Sequence, residues 1–95
     1  MRNDRFEWDD DKARANLLKH GVSFEDASLV FDDDLALVEA DVSAGYEERW
    51  RTIGIAHGGV LFVISTEREN EIIRIISARP ASRHEQDRYY RQALP

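Results

Sequence analysis

The chain has 95 residues, 42% hydrophobic and 34% charged, with no cysteine and a formal net charge of −6. A chain of this length buries roughly two-thirds of the surface its unfolded form exposes, so one modest core is expected, with neither a disulfide nor a thiolate-held zinc to brace it. No apolar run approaches the roughly 20 residues that span a bilayer, and the opening MRNDRFEWDDD lacks the apolar segment of an export signal, so the sequence predicts a soluble cytoplasmic protein with one domain over 1–95.

Phe6-Glu7-Trp8 reads as a short first strand. Asp9, Asp10 and Asp11 then put negative charge where a helix N-terminus favours it, and a helix is expected to about His20, with Ala13, Leu17 and Leu18 on its apolar side. Lys19 and His20 fall in its last turn, and Gly21 suits a left-handed cap. Ser23 and Asp26 form a capping pair for a second short helix carrying Phe24, Ala27, Val30 and Phe31 at helical spacing.

From Leu35 the pattern changes to extended runs rich in branched residues: LALVEADV, RWRTIGIA, VLFVIST and EIIRIISAR. His57-Gly58-Gly59 and the polar ERENE are links too short for a parallel crossover, so the four runs predict an antiparallel meander. Strict alternation along the last run sends Arg74 to one face and Arg79 to the other. Pro80 stops that strand, and Ser82 with Glu85 makes an S-x-x-E capping box opening a C-terminal helix whose weak core side is Tyr90, Ala93 and Leu94. The fold class is α+β.

Charge is divided unevenly along the chain. Residues 72–95 carry five arginines (Arg74, Arg79, Arg83, Arg88, Arg91) against Glu85 and Asp87, a balance of +3, whereas residues 1–48 carry fourteen acids against five bases, a balance of −9. A net acidic chain is a poor general nucleic-acid binder, but a phosphate-bearing partner is drawn to the basic end.

The pattern W-D-x-x-K-A-x-x-N-x-x-K-H-G-V-S-F-x-x-A from Trp8 to Ala27, the central EERWRTIG, and R-x-I-S-A-R from Arg74 to Arg79 resemble the BrnT-type toxins of bacterial toxin-antitoxin pairs. The resemblance implies a RelE-like fold and a ribonuclease that arrests translation. It also implies a ribbon-helix-helix antitoxin that neutralises the toxin in a hetero-oligomer and alone makes the DNA contact. After S-A-R the family commonly has a lysine, and Pro80 stands there instead.

Metal-independent RNA cleavage needs a base near the 2′-hydroxyl, cations on the phosphate and an acid for the leaving 5′-oxygen. Arg79 and Arg83 flank the strand-to-helix corner and are expected to hold the phosphate, assisted by Arg74; the plainer readings are an Arg79 or Arg83 ion pair with Glu85, and for Arg74 a salt bridge to an acid on the next strand. His20 or Glu48 is the expected base, although a cation ending a helix and a cross-strand pair of Glu48 with Arg49 explain the same residues. Lys19, Arg49, His84, Trp8 and Tyr90 are candidates for substrate contact, the two aromatics by stacking on bases, while a core position is the ordinary place for both. No metal or other cofactor is expected, since the Asp9–Asp11 and Asp32–Asp34 runs diverge along helix ends. The competing functions are a non-catalytic toxin that poisons a protein such as a topoisomerase, and a degenerate toxin that only binds its antitoxin.

Overall fold

The computed structural model describes residues 1–42, 45 and 48–94, with residue 93 described in its backbone alone; Glu47 of EERWRTIG and the Ala93 side chain lie outside the described parts. The elements are β1 (Phe6–Glu7), α1 (Asp10–His20), α2 (Phe24–Ser28) running on into a 3-10 turn (Leu29–Asp32), β2 (Leu37–Ala40), β3 (Trp50–Ala56), β4 (Gly59–Glu67), β5 (Ile73–Pro80) and α3 (Arg83–Ala93). The fold is α+β. The expected antiparallel meander is present as β2 to β5, and β1 extends it by pairing in parallel with β5, so one mixed sheet of five strands runs β1-β5-β4-β3-β2.

The helix boundaries follow from local chemistry. Asp9 accepts the Lys12 amide, Gly21 ends α1 at φ 71°, and Ser23 accepts the Asp26 amide to open α2. At the start of α3 the Ser82 hydroxyl and the Glu85 carboxylate each accept the other's backbone amide.

One face of the sheet carries the main core. Phe6, Trp8, Val22, Phe24, Ala27 and Val30 pack there against Leu61, Val63, Ile75 and Ala78. The expected apolar side of α1 is buried only in part: Ala13 packs against the core, but Leu18 is 89% exposed and Leu17 is also open, while Asn16 is buried. The reason lies in the backbone of β5. β1 is only two residues long, so the amide and carbonyl of Ala78 have no strand beside them; Asn16 Oδ1 accepts that amide at 3.1 Å and Asn16 Nδ2 donates to that carbonyl at 2.8 Å. A side-chain amide thus stands in for the missing strand, since buried backbone groups left unpaired are costly.

α3 covers part of the second face. Tyr89 and Ala81 pack on Ile53 and Val60, whereas Tyr90 and Leu94 are exposed. The helix therefore presents Tyr89 to the sheet rather than the expected Tyr90, a phase fixed by the Ser82 cap and by the Tyr89 hydroxyl, which donates to Asp33 Oδ2 at 2.6 Å. On the core face Gly54 admits a close approach: a Cβ there would stand 3.0 Å from Val30 Cβ and 3.2 Å from Ala36 Cβ. Gly54→Val should push the 3-10 turn off β3 and lower stability by about 1–3 kcal/mol, read as a lower urea midpoint with an unchanged slope.

Candidate active site

The site grows from one irregularity in β5. Ile64 pairs with Ser77 but Ser65 pairs with Ile75, so Ile76 is an extra residue in a bulge. Alternation slips by one at that point. Arg74 and Arg79, expected on opposite faces, therefore point to the same face, away from the main core.

Register fixes the rest of that face, because residues directly opposite one another share a side. One row is Leu37, Ile53, Phe62 and Arg79; the next is Glu39, Arg51, Ile64 and Ser77; beyond it come Thr66, Arg74 and Glu7. α3 packs over the first row and sends Arg88 out to Glu39 in the second, so the other rows form the floor of a trough with α3 as its wall. Glu85, Arg88 and Tyr89 face the sheet, while Arg83 and Asp87 lie on the outer side of the helix.

Every trough cation meets a carboxylate. Arg79 makes a two-pronged pair with Glu85 at 2.8 and 2.9 Å, and its guanidinium sits 4.0 Å over the Phe62 ring. The bonds from Arg79, outweighing the cost of burial, hold the Glu85 carboxyl down at about 2 from an ordinary 4.5 and raise Arg79 in turn. Arg88 reaches from α3 to both oxygens of Glu39 at 3.2 and 3.0 Å, and Arg51 Nη2 approaches Glu39 at 3.5 Å. The Arg88 bonds lower the Glu39 carboxyl, with burial opposing and Arg51 assisting. Arg51 Nε is buried and has no hydrogen-bond partner among the described residues. At the far edge Glu7 is shared by Arg74 at 3.3 Å and Arg68 at 3.4 Å.

Behind α3, Asp33 accepts the amides of Ile55 and Leu35 as well as the Tyr89 hydroxyl. Burial raises Asp33, yet these bonds prevail and hold it low, while burial and the facing carboxylate push Tyr89 up to about 12.

The residues singled out in the sequence are dispersed by the fold. Arg79 and Arg74 stand in the trough. Arg83 opens α3 with its side chain 90% exposed and its Nε 3.7 Å from Asp87, and His84 beside it is also exposed. Lys19 and His20 end α1, on the side of β5 that carries Asn16, and no hydrogen bond joins His20 to the trough among the described residues. Glu48 is exposed and its carbonyl accepts the Thr66 hydroxyl at 2.7 Å, which leaves it two strands from Arg74, about 10 Å at the usual spacing. Arg49 follows it, half-buried, its carbonyl accepting the Asp41 amide. Trp8 is 6% exposed and meets Phe24 edge-on at 5.8 Å, so no base can stack on it, whereas Tyr90 is half-exposed against Tyr89. Glu39 and Arg51 carry no mark in the sequence, and Arg88 stands there only as one of the five arginines of the basic end. Only the register of β2 on β3 and the phase of α3 bring them together. No group of three potential metal ligands converges among the described residues.

A small α+β protein with arginines gathered on the open face of its sheet is suited to holding a phosphodiester chain. The family described as the ribonuclease toxin, BrnT, of type II toxin-antitoxin systems matches residues 8–85, and the chain belongs to that family. The 1.1 Å crystal structure of the Brucella abortus ribonuclease toxin, BrnT, is similar at a TM-score of 0.67 and 28% identity, covering 83% of this chain and 97% of that one. Comparison with curated proteins gave no match.

The depressed Glu85 carboxyl has a consequence in acid. The Arg79–Glu85 pair stabilises the fold above pH 4.5, the ordinary value, and that contribution is lost as pH falls toward about 2. Glu85→Gln should cost about 1–2 kcal/mol at pH 7, water screening part of the pair at Arg79, and urea unfolding followed from pH 7 to pH 2 should show a shallower acid loss in the variant than in the parent.

Proposed function

We propose that this chain is a metal-independent endoribonuclease that arrests translation in the cytoplasm, and that RNA lies along the trough. The family supplies the class. The observation that carries the location is the convergence of Arg51, Arg74, Arg79 and Arg88 on one open face, made possible by the bulge at Ile76. Planar, permanently charged forks suit a phosphate whose charge grows as a fifth oxygen approaches, and they supply the positive charge a metal would otherwise bring. The layout, α1 and α2 on one face and an RNA trough walled by α3 on the other, is read as RelE-like.

Control belongs to the partner. A type II toxin has an antitoxin, here proposed to be of the ribbon-helix-helix kind, so that DNA is touched only through it. The seven acids and no bases between Ser23 and Val42 (Glu25, Asp26, Asp32, Asp33, Asp34, Glu39, Asp41) suit a basic partner surface. A degenerate toxin is the second reading, favoured by the pairing of Arg79, Arg88 and Arg74 with Glu85, Glu39 and Glu7.

Purified protein should cut single-stranded RNA in the presence of EDTA. Arg79→Ala should lower the cleavage rate about 100-fold or more, and Arg79→Lys, which keeps the charge and loses the fork, should restore only part of it. Circular dichroism would report the folding of both variants. RNA left intact by an excess of folded parent protein contradicts the enzymatic reading and leaves the degenerate one.

A further inference from the structure

We propose that Glu39 is the base that takes the 2′-hydroxyl proton, with Arg51 and Arg88 as the cations on the scissile phosphate. This rests on the ribonuclease reading.

Among the described residues, Glu85 and Glu7 are tied to the joints of the fold and the imidazoles at its two helix ends lie off the trough floor. Glu85 has both oxygens on Arg79, and one of them also accepts the Ser82 amide that caps α3. Glu7 sits at the β1 edge between Arg74 and Arg68. His84 is exposed beside Arg83 at the start of α3, and His20 ends the helix that follows β1. Glu39 stands in the middle row of the trough floor, about a third exposed, directly opposite Arg51 in register and beneath Arg88.

Arg51 gives the second observation. Its Nε is buried with no hydrogen-bond partner among the described residues, an arrangement that is ordinarily costly, and its contact with Glu39 is long at 3.5 Å. A donor kept waiting beside a carboxylate that two arginines share fits a site completed by an anion. A phosphate oxygen entering there satisfies Arg51 and draws Arg88 off Glu39. Losing both cationic partners raises the proton affinity of Glu39, and it does so only once the substrate is seated.

The step then balances. The O2′–H proton passes to a Glu39 carboxylate oxygen as O2′ forms its bond to phosphorus, and the P–O5′ bond breaks. O5′ takes a proton from water, and Glu39 returns its own to solvent. The products are a 2′,3′-cyclic phosphate and a free 5′-hydroxyl.

The test uses a short RNA and the same oligomer with 2′-deoxyribose at the cut site, which binds but cannot react. Glu39→Gln keeps the size of the side chain and one oxygen to accept from Arg88, with circular dichroism reporting its folding; it should cleave about 100-fold or more slowly in single turnover while binding the deoxy oligomer within about threefold of the parent. Glu39→Ala should recover activity with added formate, a free carboxylate. Arg51→Gln should weaken deoxy-oligomer binding as well as cleavage. Cleavage by Glu39→Gln at the parent rate overturns the role of Glu39, as does a loss of cleavage matched by an equal loss of binding or no rescue by formate. A parent protein that binds the oligomer but never cuts it sinks the ribonuclease reading instead.

Discussion

The joint between Arg79 and Glu85 is the contact on which the rest of the molecule's chemistry depends. Arg79 leaves the last strand just before Pro80 and Glu85 lies in the first turn of α3, so the two-pronged pair fixes the angle at which the helix departs from the sheet. The same carboxylate completes the Ser82 capping box, which joins helix initiation to helix docking. Phe62 beneath the guanidinium and Tyr89 on Asp33 complete the attachment. With α3 set in this way, Arg88 is carried to Glu39, and a flat sheet face becomes a walled trough.

On the proposed reading, the trough also accounts for how an acidic chain would serve an anionic substrate. Glutamates partner its arginines in the resting state, so no large bare cationic surface is displayed, and general attraction to nucleic acid stays weak. A phosphodiester bound there would exchange places with these carboxylates. That exchange would favour substrates held at several points over loose contacts, because a single phosphate gains little by displacing a two-pronged pair.

Much of the fold was legible in the sequence because it rests on local chemistry. The Asp9, Ser23 and Ser82 caps, the Gly21 stop and the branched strand runs each declare themselves within a few residues. The parts that were not legible depend on tertiary register. The bulge at Ile76 arises only as β5 pairs with β4, and it reverses the relation of Arg74 to Arg79. The burial of Asn16 in place of Leu17 and Leu18 follows from the shortness of β1. Glu39, Arg51 and Arg88 come from three separate elements, 12 and 49 residues from Glu39 along the chain, and nothing local marks them as a group.

The central claim is that RNA occupies the face away from the main core, along α3. Backbone amide shifts of the isotope-labelled protein, titrated with a non-cleavable 2′-deoxy oligomer, test it most directly. Shifts concentrated at Glu39, Arg51, Ser77, Arg79 and Arg88 are the predicted result. Shifts concentrated at Lys19, His20 and the end of α1, with the trough unmoved, would contradict it.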